Sequence, residues 1–102
     1  MGSATLTARD REKKIILTVQ VWKELGAHVA YTPELDLSSC GKSARQAKSR
    51  LREAVSLFME EAERMGTLSD ILDEAGFEKQ GNSYKPRRIL AREKMELTLP
   101  AV

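Results

Sequence analysis

The sequence predicts an α+β fold with elements in the order β-β-β-α-α-β, a small and mainly antiparallel sheet packed on one long helix. Three observations carry this reading. Lys14 to Trp22 alternates apolar and polar positions and is rich in β-branched residues, as a strand is. Ala44 to Met65 repeats apolar residues at helical spacing with no Gly or Pro inside. Ile89 to Leu99 alternates again and stops at Pro100. A chain of 102 residues has material for one core, so one domain is expected.

Residues 1–13 mix small, polar and charged residues without period and read as a flexible N-terminal arm. In the first strand Ile15, Leu17, Val19 and Val21 share one face, and Ile16, Thr18, Gln20 and Trp22 the other. Glu24-Leu25-Gly26-Ala27 is a tight turn, so His28 to Thr32 should return antiparallel. Pro33 ends that strand, and Leu35 to Cys40 is a third, edge-like one. Ser43 with Gln46 forms a capping box for the long helix. Its stripe is Ala44, Ala47, Leu51, Ala54, Val55, Phe58, Ala62 and Met65, stopped by Gly66. Thr67 caps a short second helix with Leu68, Ile71, Leu72 and Ala75 inward; Gly76 stops it and Phe77 suits a Schellman contact. Residues 78–87 read as a loop, Ile89 to Leu99 as the last strand, and 100–102 as a tail. The domain is thus expected over residues 14–99.

Composition excludes several classes. One cysteine excludes an internal disulfide and a multi-Cys zinc site, and one histidine excludes two-His metal motifs, so no cofactor or metal is expected. No apolar run nears the ~18 residues of a membrane span, and the N-terminus has no apolar signal core, so a cytoplasmic protein is expected. A net charge of +2 names no partner.

His28 through Phe58 resembles the HicB antitoxin family and its stand-alone relatives. The likeness rests on Tyr31-Thr32-Pro33-Glu34-Leu35-Asp36, on Ser39-Cys40-Gly41-Lys42-Ser43, and on a helix with Ala47, Leu51, Arg52-Glu53-Ala54-Val55 and Phe58. With the flanking strands it covers roughly residues 14 to 99. The resemblance implies a partial RNase H-like fold and a non-catalytic antitoxin. Such a protein binds and occludes a small HicA-type toxin that cleaves mRNA. Unlike the family's commonly acidic helix start, this one carries Lys42, Arg45, Lys48, Arg50 and Arg52. The chain stops at Val102, just past the last expected strand, so an appended DNA-binding segment is not expected.

The residues themselves argue against catalysis. A two-metal nuclease needs converging carboxylates, and the first strand has none. His28 has no nucleophile motif and reads as a surface or partner contact, while Cys40 has no neighbouring His and reads as a part-buried thiol. Trp22, on the strand face turned from the helix, is a candidate protein contact together with Glu34 and Asp36. Lys42, Arg45, Lys48 and Arg52, with Arg87 and Arg88 beyond Tyr84, are candidate anion or nucleic-acid contacts; a solvated, paired face is the plain alternative. Tyr84 reads as a loop anchor on the core. The alternating Ile89, Met95, Leu97 and Leu99 are candidate oligomer contacts, and a homodimer or higher homo-oligomer is expected.

Overall fold

A computed structural model describes residues 14–101; the arm read at 1–13 lies outside the described residues. The fold is α+β. Strands β1 (Lys14–Ile15), β2 (Gln20–Glu24), β3 (Ala27–Thr32) and β4 (Leu37–Gly41) precede helix α1 (Ala44–Met65) and helix α2 (Leu68–Glu74). Strands β5 (Glu78–Gln80) and β6 (Ser83–Lys85) follow. Two three-stranded sheets result, ordered β2-β3-β4 and β1-β6-β5. The first is wholly antiparallel; in the second β1 runs parallel to β6.

The expected first strand is split. Its ends form β1 and β2, and Ile16 to Val19 bridge from one sheet to the other. The hairpin β2–β3 turns through Leu25 and Gly26, both at positive φ (51° and 82°), the type I′ geometry whose twist matches paired strands. Its register puts Gln20, Trp22, Val29, Tyr31, Ser38 and Cys40 on one face, and Val21, Ala30, Thr32 and Leu37 on the other. Helix α1 covers the second face: Ala30, Ala47, Leu51 and Val55 are buried together. Leu72, Phe77 and Tyr84 form a second cluster. Leu17, Leu35 and Met59 touch both clusters, so the sheets share one interior.

Local chemistry explains the helix ends. Ser43 Oγ accepts from the Gln46 amide at 3.1 Å, and Gln46 Oε1 accepts from the Lys42 amide at 2.6 Å, which satisfies donors that a helix start leaves orphaned. At the other end Gly66 is left-handed (φ 75°), with Thr67 N–H donating to Ala62 and Gly66 N–H to Glu63, a Schellman closure. Gly76 and Phe77 repeat it at Asp73 and Leu72. Thr67 does not cap α2; its hydroxyl turns back to the Ala62 carbonyl.

Two expectations are corrected in the C-terminal third. Residues 78–87, read as a loop, contain the β5–β6 hairpin, turned at Gly81-Asn82 with Gly81 at φ 60°. Ile89–Leu99, read as the last strand, pairs with nothing among the described residues and is exposed throughout. An isolated strand leaves its N–H and C=O groups to water and its apolar face bare, so alternation without a partner makes no ladder. Tyr84, by contrast, is buried and anchors its hairpin. Among the described residues no helix is long and apolar enough to cross a membrane.

Candidate functional site: the uncovered sheet face

The face of β2-β3-β4 turned from α1 carries an aromatic and acidic row. Trp22 and Tyr31 meet edge to face with ring centroids 6.0 Å apart, a diagonal pair across the hairpin. Trp22 Nε1 donates to Glu24 at 2.9 Å, and the Tyr31 hydroxyl donates to Asp36 at 2.8 Å. The acceptance by Asp36 raises the Tyr31 pKa above its ordinary value, so the phenol keeps its proton. Trp22 remains 40% exposed although ring and indole N–H are both engaged. Leu25, at the hairpin tip beside this row, is fully exposed in a left-handed conformation.

Trp22 and Asp36 therefore share a surface, with Tyr31 between them. Glu34 is engaged elsewhere: its carboxylate accepts from the Thr18 amide at 3.0 Å and the Thr32 hydroxyl at 3.1 Å. Burial raises its pKa, but those hydrogen bonds outweigh it and the net shift is downward. Glu34 ties the Ile16–Val19 bridge to the end of β3. Tyr31 and Leu25 were missed as site residues. Tyr31 had a signal, because Gln20 and Tyr31 pair across the turn and put it on the Trp22 face; the exposure of Leu25 had only the turn.

The basic candidates divide into groups. Arg45, Lys48 and Arg52, spaced three and four apart, form one exposed stripe on α1. Lys48 and Arg52, with Ile15, Leu17, Val19, Leu51 and Val55, line an open cleft of about 340 Å³. Neither Lys48 nor Arg52 pairs with a carboxylate among the described residues. Lys42 precedes the helix, and Arg50, on the opposite flank, donates to the Cys40 carbonyl at 3.1 Å. Arg87 lies over Gly76, and Arg88 is exposed beside it. Ile89, Met95, Leu97 and Leu99 are all exposed on the C-terminal segment.

Cys40, expected to be part-buried, is exposed on the outer face. His28 is half-buried, and its Nδ1 is buried without a hydrogen-bond partner among the described residues. Among the described residues no group of three His, Cys, Asp or Glu side chains could hold a metal ion. No protein-family model, curated protein or solved structure matches the chain.

Proposed function

We propose that this chain is a HicB-like interaction protein that binds and occludes a small HicA-type, mRNA-cleaving toxin in the cytoplasm, without catalysing a reaction. The observation that supports it most is the open Trp22–Tyr31–Asp36 row. Aromatic side chains with both a stacking face and a polar handle anchor protein interfaces. Asp36 and Glu24 at the ends of the row suit a basic, RNA-binding partner. Occlusion needs a surface of fitting shape and charge and no reacting group. The experiment is inhibition of RNA cleavage by a purified HicA-type toxin. Trp22→Ala combined with Asp36→Lys should weaken inhibition on the order of a hundredfold while the thermal melt stays close to wild type. No inhibition by the wild type, or equal inhibition by the variant, sinks the reading.

The Arg45–Lys48–Arg52 stripe supports a second reading, a small nucleic-acid-binding regulator. A backbone-binding stripe would give an affinity that falls steeply with salt, with a log–log slope near −0.9 per neutralised phosphate. Lys48→Glu with Arg52→Glu would abolish oligonucleotide binding while leaving toxin inhibition intact. Salt-independent binding, or none by the wild type, removes it.

A further inference from the structure

We infer that two copies of this chain exchange their C-terminal segments, residues 90–99 of each adding a strand to the open edge at Ile15–Lys23 of the other, with Glu93 received by Lys48 and Arg52. The inference stands apart from the toxin reading and rests on three observations.

The first is an edge, running over β1, the Ile16–Val19 bridge and β2, on which no strand lies among the described residues. The amides of Lys14 and Ile16 donate to Asn82 and Tyr84, and that of Thr18 to Glu34. Two residues at the β2–β3 turn make Glu24–Ala27 a hydrogen-bonded pair, so Gln20, Trp22 and Glu24 turn their amides toward β3. The even-numbered residues from Lys14 to Glu24 thus spend their N–H groups within the chain. Val21 and Lys23 turn theirs away from β3, and with Ile15, Leu17 and Val19 they meet no strand among the described residues. The opposite edge, β4, is guarded by Arg50 on the Cys40 carbonyl.

The second is an arm built to fill such an edge. Residues 89–101 are exposed and pair with no strand among the described residues, and the molecule measures 64 Å along its longest axis against 32 and 28 Å across. Its radius of gyration is 17.5 Å, where about 13 Å suits a compact chain of this length. Met95, Leu97 and Leu99 alternate with Lys94, Glu96 and Thr98. At the arm's root Pro86, Arg87, Ile89 and Arg92 line an open cleft together with Thr18, Gln20, Pro33 and Glu34. This cleft shares no lining residue with the one that holds Lys48 and Arg52, which favours a second copy's arm there over the chain's own.

The third is charge. Alternation allows one face of the arm to turn inward. The face with Arg92, Lys94 and Glu96 would bury three charges; the other carries Met95, Leu97, Leu99 and a single acid, Glu93. The cleft beneath this edge has an apolar floor of Leu17, Leu51 and Val55 and two cations, Lys48 and Arg52, that pair with no carboxylate among the described residues. Glu93, the one break in the arm's apolar pattern, answers the like-charged pair that α1 leaves unexplained.

Light scattering of the full chain should give a dimer, twice 11.4 kDa, at micromolar concentration. Ending the chain at Arg88, or Glu93→Lys, should shift dimerisation on the order of a hundredfold toward monomer, and Lys48→Glu with Arg52→Glu should do the same. Combining Glu93→Lys with the two helix changes should restore the dimer. Val21→Pro blocks the open edge without removing an existing hydrogen bond; mixed with the chain ending at Arg88, whose edge is intact, it should give a heterodimer. A monomeric wild type, a dimer that survives loss of the arm, or no rescue by the combined charge reversal overturns the inference.

Discussion

Thr18 and Glu34, sixteen residues apart, are joined where the two sheets part: the Thr18 amide donates to the Glu34 carboxylate at 3.0 Å. β3 ends at Pro33, so the ladder that would have taken this amide stops, and a side chain takes it instead. The same carboxylate accepts from the fully buried Thr32.

Removing that tie strands a donor on each side. Glu34→Ala should cost about 1–2 kcal/mol in chemical denaturation. The pH dependence follows from the lowered pKa. The ionised form is the bound form, so its contribution is complete above the ordinary value of 4.5 and is lost as pH falls through the lower folded value. The stability gap between wild type and Glu34→Gln should therefore narrow in acid; a gap that widens there contradicts the assignment.

Leu25 sits at φ 51° with its whole side chain in water. A left-handed leucine is strained by roughly 1 kcal/mol, and asparagine is the residue that a type I′ turn favours there. Leu25→Asn should raise the melting temperature. If the tip also meets the partner, toxin inhibition will weaken in the same variant, and the two readouts together separate strain from contact.

Gly41 ends β4 against the start of α1. A Cβ there would stand 2.8 Å from the Ala47 backbone nitrogen and 2.9 Å from Gln46 side-chain atoms. Backbone cannot swing aside as a side-chain tip can, so Gly41→Ala should destabilise by about 1–3 kcal/mol. A neutral result in thermal denaturation would mean that the strand and helix part more easily than their packing implies.

Leu72 is the largest apolar side chain closed off from solvent, 1% exposed among Phe77 and Tyr84. Leu72→Ala should cost about 2–5 kcal/mol, the removed contacts plus the cavity left behind. Urea titration reads it directly, and a loss below 1 kcal/mol would show that the α2–hairpin cluster collapses freely.

Elements whose signal is local were legible. The α1 stripe, its Ser43 cap and its Gly66 stop all lie within neighbouring turns of one helix, where spacing alone decides what is buried. The Leu25-Gly26 hairpin needed only its own turn chemistry, and the exposed Trp22 followed from alternation once the helix covered the other face. The Gly81-Asn82 turn was equally readable, but its strands are three residues long and show no alternation to mark them. Of the site, Trp22 and Asp36 could be named in advance; their link through Tyr31 needed the register across two turns.

By itself the sequence determined the α+β class, the order of the first three returning strands and the two helices, and which face of each is apolar, because these depend on periods of 2 and 3.6 along one chain. Only the tertiary structure decided where Lys14–Trp22 breaks, that Glu34 serves the fold while Asp36 lies with the aromatics, and that Ile89–Leu99 pairs with no strand among the described residues. Alternation says that a segment can be a strand; whether it becomes one depends on an edge placed to receive its hydrogen bonds, and that edge is assembled from residues far away in the chain.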